Sequence, residues 1–230
     1  MSAQLLSVII PVYNECRTIE TILGVIERVP VEKEMIVVDD GSTDGTREIL
    51  SQKFKNRPGT QIIFHDSNRG KGEAVRTGVA KATGERVIIQ DADLEYDPSD
   101  YLKLLAVAAR LDAPVVYGSR FLGNKKASSR WHRTVNGFLT QLTNFLYGSR
   151  LTDMETCYKL IHRDVIKKIL LISKGFEIEV ELTAKILKAG FPIVEVPIAY
   201  KGRSFHEGKK IGWRDGVMAV ERLFYFRFHP

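Results

Sequence analysis

"VIIQDADLEYDP", residues 87–98, drives an apolar run straight into carboxylates at Asp91, Asp93, Glu95 and Asp97. Carboxylates at such close spacing repel one another, so either water solvates them or a cation holds them. Val87, Ile88 and Ile89 read as a short buried strand, and the segments on either side give it a place in a series. "LLSVIIPVY" (5–13) is a β-branched run closed by Pro11, and "ECRTIETILGVIERV" follows with Ile19, Ile22, Leu23 and Ile26 at helical spacing. A strand at 34–39, an Asp- and Gly-rich turn and a helix near 43–55 repeat the design. "TQIIFHD" (60–66) is a third strand, and residues 69–84 a helix capped by Gly84. The quoted strand is fourth, Pro98 and Ser99 start another helix, and "PVVYGSR" (114–120) is a fifth strand.

Strands alternating with helices of this length predict an α/β chain with a mostly parallel, Rossmann-like sheet flanked by helices. Such sheets bind ligands beyond the carboxyl ends of their strands. Pro11–Glu15, Asp39–Asp44, His65–Lys71, Asp91–Asp97 and Gly118–Arg120 all follow strands and are expected along one edge. The alternation weakens after residue 120. A long helix is expected over 128–150, with Val135, Phe138, Leu139, Leu142, Phe145 and Leu146 as a core stripe, a lipid groove being the alternative. Two further helices and a late strand, "PIVEVPIAY", follow. The expectation is one domain over 1–230, an alternating half (1–120) leading into a half where the alternation fades (121–230).

The net charge of +6 is unevenly spread. Residues 1–112 carry net −4, residues 113–152 net +6 without a single acid, and residues 200–230 net +4. That asymmetry suggests an anionic partner at one part of the surface, with a solvated basic face as the alternative. Nucleic acid would require a continuous basic face and is not an expected partner. Cys16 and Cys157 make no disulfide framework and read as core thiols in a reducing, cytoplasmic compartment. No signal peptide is read at the N-terminus, and no run approaches the ~18 apolar residues of a membrane span.

Three motifs carry the chemistry. Residues i and i+2 of an extended segment point the same way, so Asp91 and Asp93, with Glu95 as a third, are expected to face one Mg²⁺ or Mn²⁺, which favour oxygen ligands. Asp97 before Pro98 reads as a turn or cap residue. In "VVDDGSTDGT" (37–46), Asp39 or Asp40 can accept hydrogen bonds from a base or ribose, while Gly41, Asp44 and Gly45 make the turn and Ser42 caps the next helix. In "NRGKGEA" (68–74), Gly70 and Gly72 flank Lys71 at a helix start, where backbone N–H groups favour an anion. The spacing is not that of a Walker A loop.

Taken in order, "SVIIPVYNE", "VVDDGSTDGT", "NRGKGEAVRTG", "DADLEYDP", "YGSR", "TDMETCYK" and "KGRSFHEGKKIGWRDG" resemble the landmarks of the family 2 glycosyltransferases. Within them they resemble the dolichol-phosphate mannose synthase and polyprenyl-phosphate glucosyltransferase branch. The resemblance implies a GT-A fold with a helical acceptor-side segment, a divalent metal, inversion at the anomeric carbon and a donor such as GDP-mannose or UDP-glucose. By position it assigns Pro11, Tyr13, Glu15, Asp39 and Asp40 to the nucleoside, Lys71, Asp91 and Ala92 to the donor phosphates, and Asp91, Asp93 and Glu95 to the metal. Arg120, Arg130 and Arg203, with Thr134, are assigned to a lipid phosphate. Relatives often carry glutamine at the position of Glu95 and glycine at that of Cys157, and many end in transmembrane helices.

A phosphate acceptor is already anionic near pH 7, whereas a sugar hydroxyl needs a nearby base; arginines suit the first. The expected acceptor is therefore a phosphate, which the resemblance makes a polyprenyl (dolichyl or undecaprenyl) phosphate, with Asp153 orienting the sugar or an arginine. The alternative is a sugar or polymer hydroxyl with Asp153 as base. Glu177, Glu179 and Glu181 are either sugar contacts or a solvated helix start. A lipid carrier implies peripheral contact with the cytoplasmic face of a membrane through the basic, aromatic tail and admits a membrane-anchoring subunit; Trp213, Phe224, Tyr225, Phe226 and Phe228 are either that contact or packing in the core or on a partner subunit.

Overall fold

The β-branched run at the N-terminus makes β1 (Leu6–Val12), which continues through Pro11, and the Ile/Leu stripe behind it makes α1 (Ile19–Arg28). The computed structural model describes residues 5–122, 130–203 and 213–229, the side chains of 130–132 and 213–214 excepted. β2 (Lys33–Asp39), α2 (Thr46–Lys53), β3 (Thr60–Phe64), α3 (Lys71–Lys81) and β4 (Arg86–Ile89) follow in the expected alternation. After a 3₁₀ turn at Pro98–Asp100 come α4 (Tyr101–Leu111) and β5 (Val115–Ser119). The later elements are α5 (Arg130–Tyr147), β6 (Lys159–His162), α6 (Arg163–Lys168), α7 (Ile178–Lys188), β7 (Ile193–Pro197) and α8 (Trp213–Phe228).

Among the described residues seven strands form one sheet in the order β3-β2-β1-β4-β6-β5-β7. β1 lies between β2 and β4 and is parallel to both, with Leu6 opposite Lys33 on one side and Arg86 on the other. β3 extends the parallel set, and β5 pairs parallel with β7. β6 runs antiparallel to both β4 and β5, so the carboxyl ends of β1 to β5 share one edge. From β1 the chain first winds outward to β2 and β3, then returns to place β4 on β1's other side. The β1/β4 gap is thus the switch point where such sheets open a crevice.

β1, β2, β4 and β5 supply the centre of the main core, covered by Ile19, Ile22, Leu23 and Ile26 of α1 and Tyr101, Leu104 and Ala108 of α4. Burying each large aliphatic side chain contributes roughly 1.5–3 kcal/mol. A second cluster joins Leu139 of α5, Val180 and Ala184 of α7, and Ala219, Leu223 and Phe226 of α8.

Three local expectations need correction. α3 ends at Lys81, and Ala82 is already extended, so Gly84 is no helix cap. Its Cβ position lies 2.6 Å from both Leu5 O and Ser7 Oγ, and only glycine lets the chain pass so close to β1. On α5, Val135, Leu139, Leu142 and Leu146 face the second cluster, but Phe138 and Phe145 are 60% and 85% exposed. They lie one residue before Leu139 and Leu146, about 100° round the helix from the covered stripe. The aromatic tail divides likewise: Phe226 is buried, whereas Phe224, Tyr225 and Phe228 are exposed. No helix among the described residues is long and apolar enough to cross a membrane.

Candidate active site

The turn after β1 is tied to the turn after β2. Asn14, left-handed at φ 51°, donates its backbone N–H to Ser42 Oγ at 2.9 Å and accepts from Thr43 N at 2.8 Å. Glu15 N and Cys16 N donate to Thr46 Oγ1 and Asp44 Oδ2, both at 3.0 Å. Ser42 therefore does not cap α2; Asp44 accepts from Thr46 N instead, with Gly45 at φ 101° before the helix. Although burial opposes it, the hydrogen bonds from Thr46 and Cys16 hold Asp44 down at about 2.

Of the paired aspartates, Asp40 is occupied by the protein. It accepts from Arg69 N (3.0 Å) and Gly70 N (2.7 Å) and lies 2.7 Å from His65 Nδ1. Asp39 is also buried, with Arg47 Nε 3.3 Å from its Oδ2, yet its Oδ1 has no hydrogen-bond partner among the described residues. Burial pushes the Asp39 carboxyl up. Asp39 Oδ1 is therefore a shielded acceptor whose hydrogen-bonding capacity the described residues leave unused.

The glycines beside Lys71 do a different job from the one expected. A Cβ on Gly70 would lie 2.3 Å from Lys174 O, and one on Gly72 2.4 Å from Ser173 O. With Gly70 at φ 96° and its N–H on Asp40, these residues let the 173–175 loop pack down on the start of α3, where Glu73 N donates to Lys174 O at 3.2 Å. Lys71 itself is nearly buried, its Nζ 2.7 Å from Asp91 Oδ1 and 3.0 Å from Glu179 Oε1. Against the pull of burial, those carboxylates hold the Lys71 ammonium well above its usual range.

The carboxylates after β4 do not lie on an extended strand. The chain turns there, with Leu94 left-handed at φ 63°, so simple alternation fails. Glu95 is drawn to the far wall, where Tyr200 Oη and Arg203 N donate to its two oxygens, each at 2.7 Å. Asp93 Oδ2 lies 2.9 Å from Arg203 Nη2, and Arg203 Nη1 reaches Glu15 Oε2 at 3.2 Å. Burial first, then the negative charges of Asp91 and Glu95, push the Asp93 carboxyl up to about 7, against the pull of Arg203. Burial alone would raise Asp91, but Lys71 holds it below the usual carboxylate range. No three His, Cys, Asp or Glu side chains among the described residues converge as a preformed metal cluster. What the chain offers is an all-oxygen pair, Asp91 and Asp93, with excess negative charge and two cations as stand-in partners. That donor set suits a hard divalent ion.

On the other side of the crevice, Arg120 closes a fork on Asp153. Nε and Nη2 each donate at 2.7 Å, and the Arg120 backbone N–H adds a third bond at 2.9 Å. Asp153 is fully buried and its own N–H is held by Glu195 at 3.0 Å. The Arg120 guanidinium lies 5.2 Å from the ring centre of Tyr200, which links this wall to Glu95. Pro11 is the penultimate residue of β1, half-buried Tyr13 follows the strand, and Ala92 is buried between Asp91 and Asp93. Arg130 opens α5, but its side chain lies outside the described residues, as does the stretch 204–212. Thr134 is exposed on the first turns of α5.

Lys159 and Glu155 had no role in the sequence reading, and the acids of α7 take places that it did not foresee. Lys159 is fully buried and ion-paired with Glu179, which also meets Lys71, so Glu179 is no solvated helix start. Glu181 is equally buried and accepts from Ile172 N and Ser173 N at 2.8 Å; Glu177 holds the Gly175 turn at 3.1 Å. Glu155, inside the quoted "TDMETCYK", has an Oε1 shielded from solvent with no hydrogen-bond partner among the described residues. Burial leads in pushing Glu155 up to about 7. Cys157 is a buried free thiol, and it needs no left-handed backbone, so a side chain fits where relatives carry glycine.

Residues 7–170 match the family model described as "Glycosyl transferase family 2". The chain belongs to glycosyl transferase family 2. It is 32% identical over 215 residues to the polyprenol monophosphomannose synthase of Mycolicibacterium smegmatis, covering 89% of this chain and 80% of that one. It is 29% identical over 220 residues to the undecaprenyl-phosphate mannosyltransferase of Micrococcus luteus, covering 92% and 90%. Its fold matches the crystal structure of glucosyl-3-phosphoglycerate synthase from Mycobacterium tuberculosis in complex with Mn²⁺, uridine diphosphate and phosphoglyceric acid. There the TM-score is 0.74 at 20% identity, over 99% of this chain and 80% of that one. The sheet and its flanking helices are thus those of a GT-A glycosyltransferase, and glycosyl transfer is this chain's activity.

Proposed function

We propose that this glycosyltransferase moves a hexose, mannose or glucose, from a nucleotide-diphosphate sugar to a polyprenyl phosphate, with inversion at the anomeric carbon. The observation that carries the acceptor assignment is Asp153. Both of its oxygens accept N–H bonds from Arg120, three in all, and the carboxylate is fully buried, so it orients an arginine instead of meeting an acceptor hydroxyl. A phosphate dianion needs no base, and the two curated relatives named above carry a polyprenyl phosphate or its mannosyl product in their names.

On this reading Asp39 Oδ1 accepts from the nucleoside, with Glu15 and Tyr13 on the same wall. Asp91 and Asp93 would hold Mg²⁺ or Mn²⁺, which when bound offsets the charge of the diphosphate. Lys71, fixed by Asp91 and Glu179, stabilises the departing nucleoside diphosphate. The acceptor phosphate oxygen forms a bond to the anomeric carbon as the bond to the diphosphate breaks, the electron pair leaving with the nucleoside diphosphate. Opposite-face attack inverts the configuration. Arg120 and Arg130 supply charge for the acceptor. Arg203, which pairs with Asp93 and Glu15, serves there only once it has left those carboxylates.

The lipid acceptor places the protein at the cytoplasmic face of a membrane. Exposed Phe138 and Phe145 on α5, and Phe224, Tyr225 and Phe228 on α8, suit a peripheral lipid contact, with or without an anchoring subunit. The test is a transfer assay with GDP-mannose and UDP-glucose against polyprenyl phosphate, polyprenol and free sugars. A glycosyl-phosphopolyprenol product is expected; transfer to the hydroxyl acceptors alone would overturn the proposal.

A further inference from the structure

Between the donor wall and the acceptor wall the charges do not balance pair by pair. Arg120 is closed on Asp153. Lys159 is bound to Glu179 and to the carbonyl of Thr156, and Lys71 bridges Asp91 and Glu179. Glu155 lies within electrostatic reach of Lys159, Glu179, Arg120 and Asp153, but every one of those groups is committed elsewhere. Its Oε1 has no hydrogen-bond partner among the described residues although it is shielded from water, while the residue as a whole is only half-buried. Glu179 Oε1 also lacks a hydrogen bond of proper geometry, despite its ion pair with Lys71. A buried acceptor left unsatisfied is costly, and a missing ligand is one of the few explanations.

We propose that Glu155 is the residue that positions the transferred hexose, its carboxyl accepting a hydrogen bond from a ring hydroxyl, with Glu179 Oε1 as a second acceptor. The placement follows from the two walls: the leaving diphosphate belongs at Lys71 and Asp91, the incoming phosphate at Arg120, and the sugar must lie between them, where Glu155 stands. One unsatisfied carboxyl oxygen among groups already paired can accept from a ligand O–H, whereas it falls short of the oxygen set that a hard cation needs. This inference rests on the nucleotide-sugar reading of the same crevice.

Isothermal titration with Mn²⁺ compares GDP, UDP, GDP-mannose and UDP-glucose on the wild type, Glu155→Ala and Glu155→Gln. Glu155→Ala should weaken the preferred sugar nucleotide roughly ten- to a hundredfold, as for a lost hydrogen bond to a charged group, and leave the nucleoside diphosphates unchanged. Glu155→Gln keeps an acceptor oxygen and should recover part of the loss. Deoxy-sugar nucleotides supply a readout that a merely structural role would not move. The wild type should discriminate against the analogue lacking the recognised hydroxyl, and Glu155→Ala should not. Equal losses for sugar nucleotide and nucleoside diphosphate, or no loss for either, overturn the assignment. A wild type that binds no sugar nucleotide overturns this inference together with the donor reading; one that binds it but glycosylates a hydroxyl overturns the acceptor reading alone, and the binding comparison still decides Glu155.

Discussion

Removing the Asp153 carboxylate should damage the fold before it damages any proton transfer. Asp153 is fully buried, the Arg120 side chain is only 11% exposed, and three N–H groups of Arg120 converge on the two carboxylate oxygens. Asp153→Ala leaves a guanidinium in a closed site with no counter-charge. Breaking a buried pair from one side costs about 3–5 kcal/mol, a large share of the roughly 5–15 kcal/mol that holds a folded protein together. At a urea slope of about 2–3 kcal/mol/M this lowers the unfolding midpoint by about 1–2.5 M. The double variant Arg120→Leu/Asp153→Leu should recover much of that loss, because the stranded charge goes with its partner. Equilibrium urea unfolding of Arg120→Leu, Asp153→Leu and the double variant measures the coupling directly. The reasoning fails if Asp153→Ala unfolds at the wild-type midpoint while its pH–rate profile loses the acidic limb, the behaviour of a general base.

Mn²⁺ affinity should fall about tenfold per pH unit below about 7, because the ion binds the ionised Asp93, whose carboxyl is pushed up by burial and by Asp91 and Glu95. Titration in buffers of different ionisation enthalpy should also show proton release at pH 6.5; a flat affinity from pH 8 to 6 contradicts it. Gly70→Ala forces a Cβ against Lys174 O at 2.3 Å from a left-handed backbone, so thermal unfolding should show a loss of about 1–3 kcal/mol and weaker donor binding. Unchanged stability would mean that the 173–175 loop is not packed against Gly70 and Gly72. Phe145→Asp, at a position 85% exposed, should shift stability by no more than about 0.5 kcal/mol yet reduce co-sedimentation with anionic vesicles. Equal sedimentation removes α5 from the lipid contact.

The parallel half of the fold was legible because each strand there is a plain β-branched run followed by an amphipathic helix, and the carboxyl-end rule then gathered the right loops. β6 was not legible. Its run carries Lys159, a charge that reads locally as solvent-facing, and the group that makes its burial tolerable, Glu179, lies 20 residues on in another element. Phe138 and Phe145 misled for the opposite reason: apolar residues at helical spacing look like core until a packed neighbour fixes which stripe is covered. In the site, Lys71, Asp91, Asp93, Glu15 and Arg203 were singled out and do cluster. Local alternation nevertheless misplaced Glu95, since one left-handed residue, Leu94, re-aims the chain immediately after it. The contact between Arg203 and Asp93 spans 110 residues and belongs to tertiary structure alone.

The most direct test is anomalous diffraction from a crystal grown with Mn²⁺ and a nucleoside diphosphate. An ion about 2.0–2.2 Å from oxygens of Asp91 or Asp93, with diphosphate oxygens beside Lys71 and the guanidinium of Arg203 moved off Asp93, is the predicted result. Manganese bound away from both aspartates while the diphosphate occupies the β1/β4 crevice would contradict it.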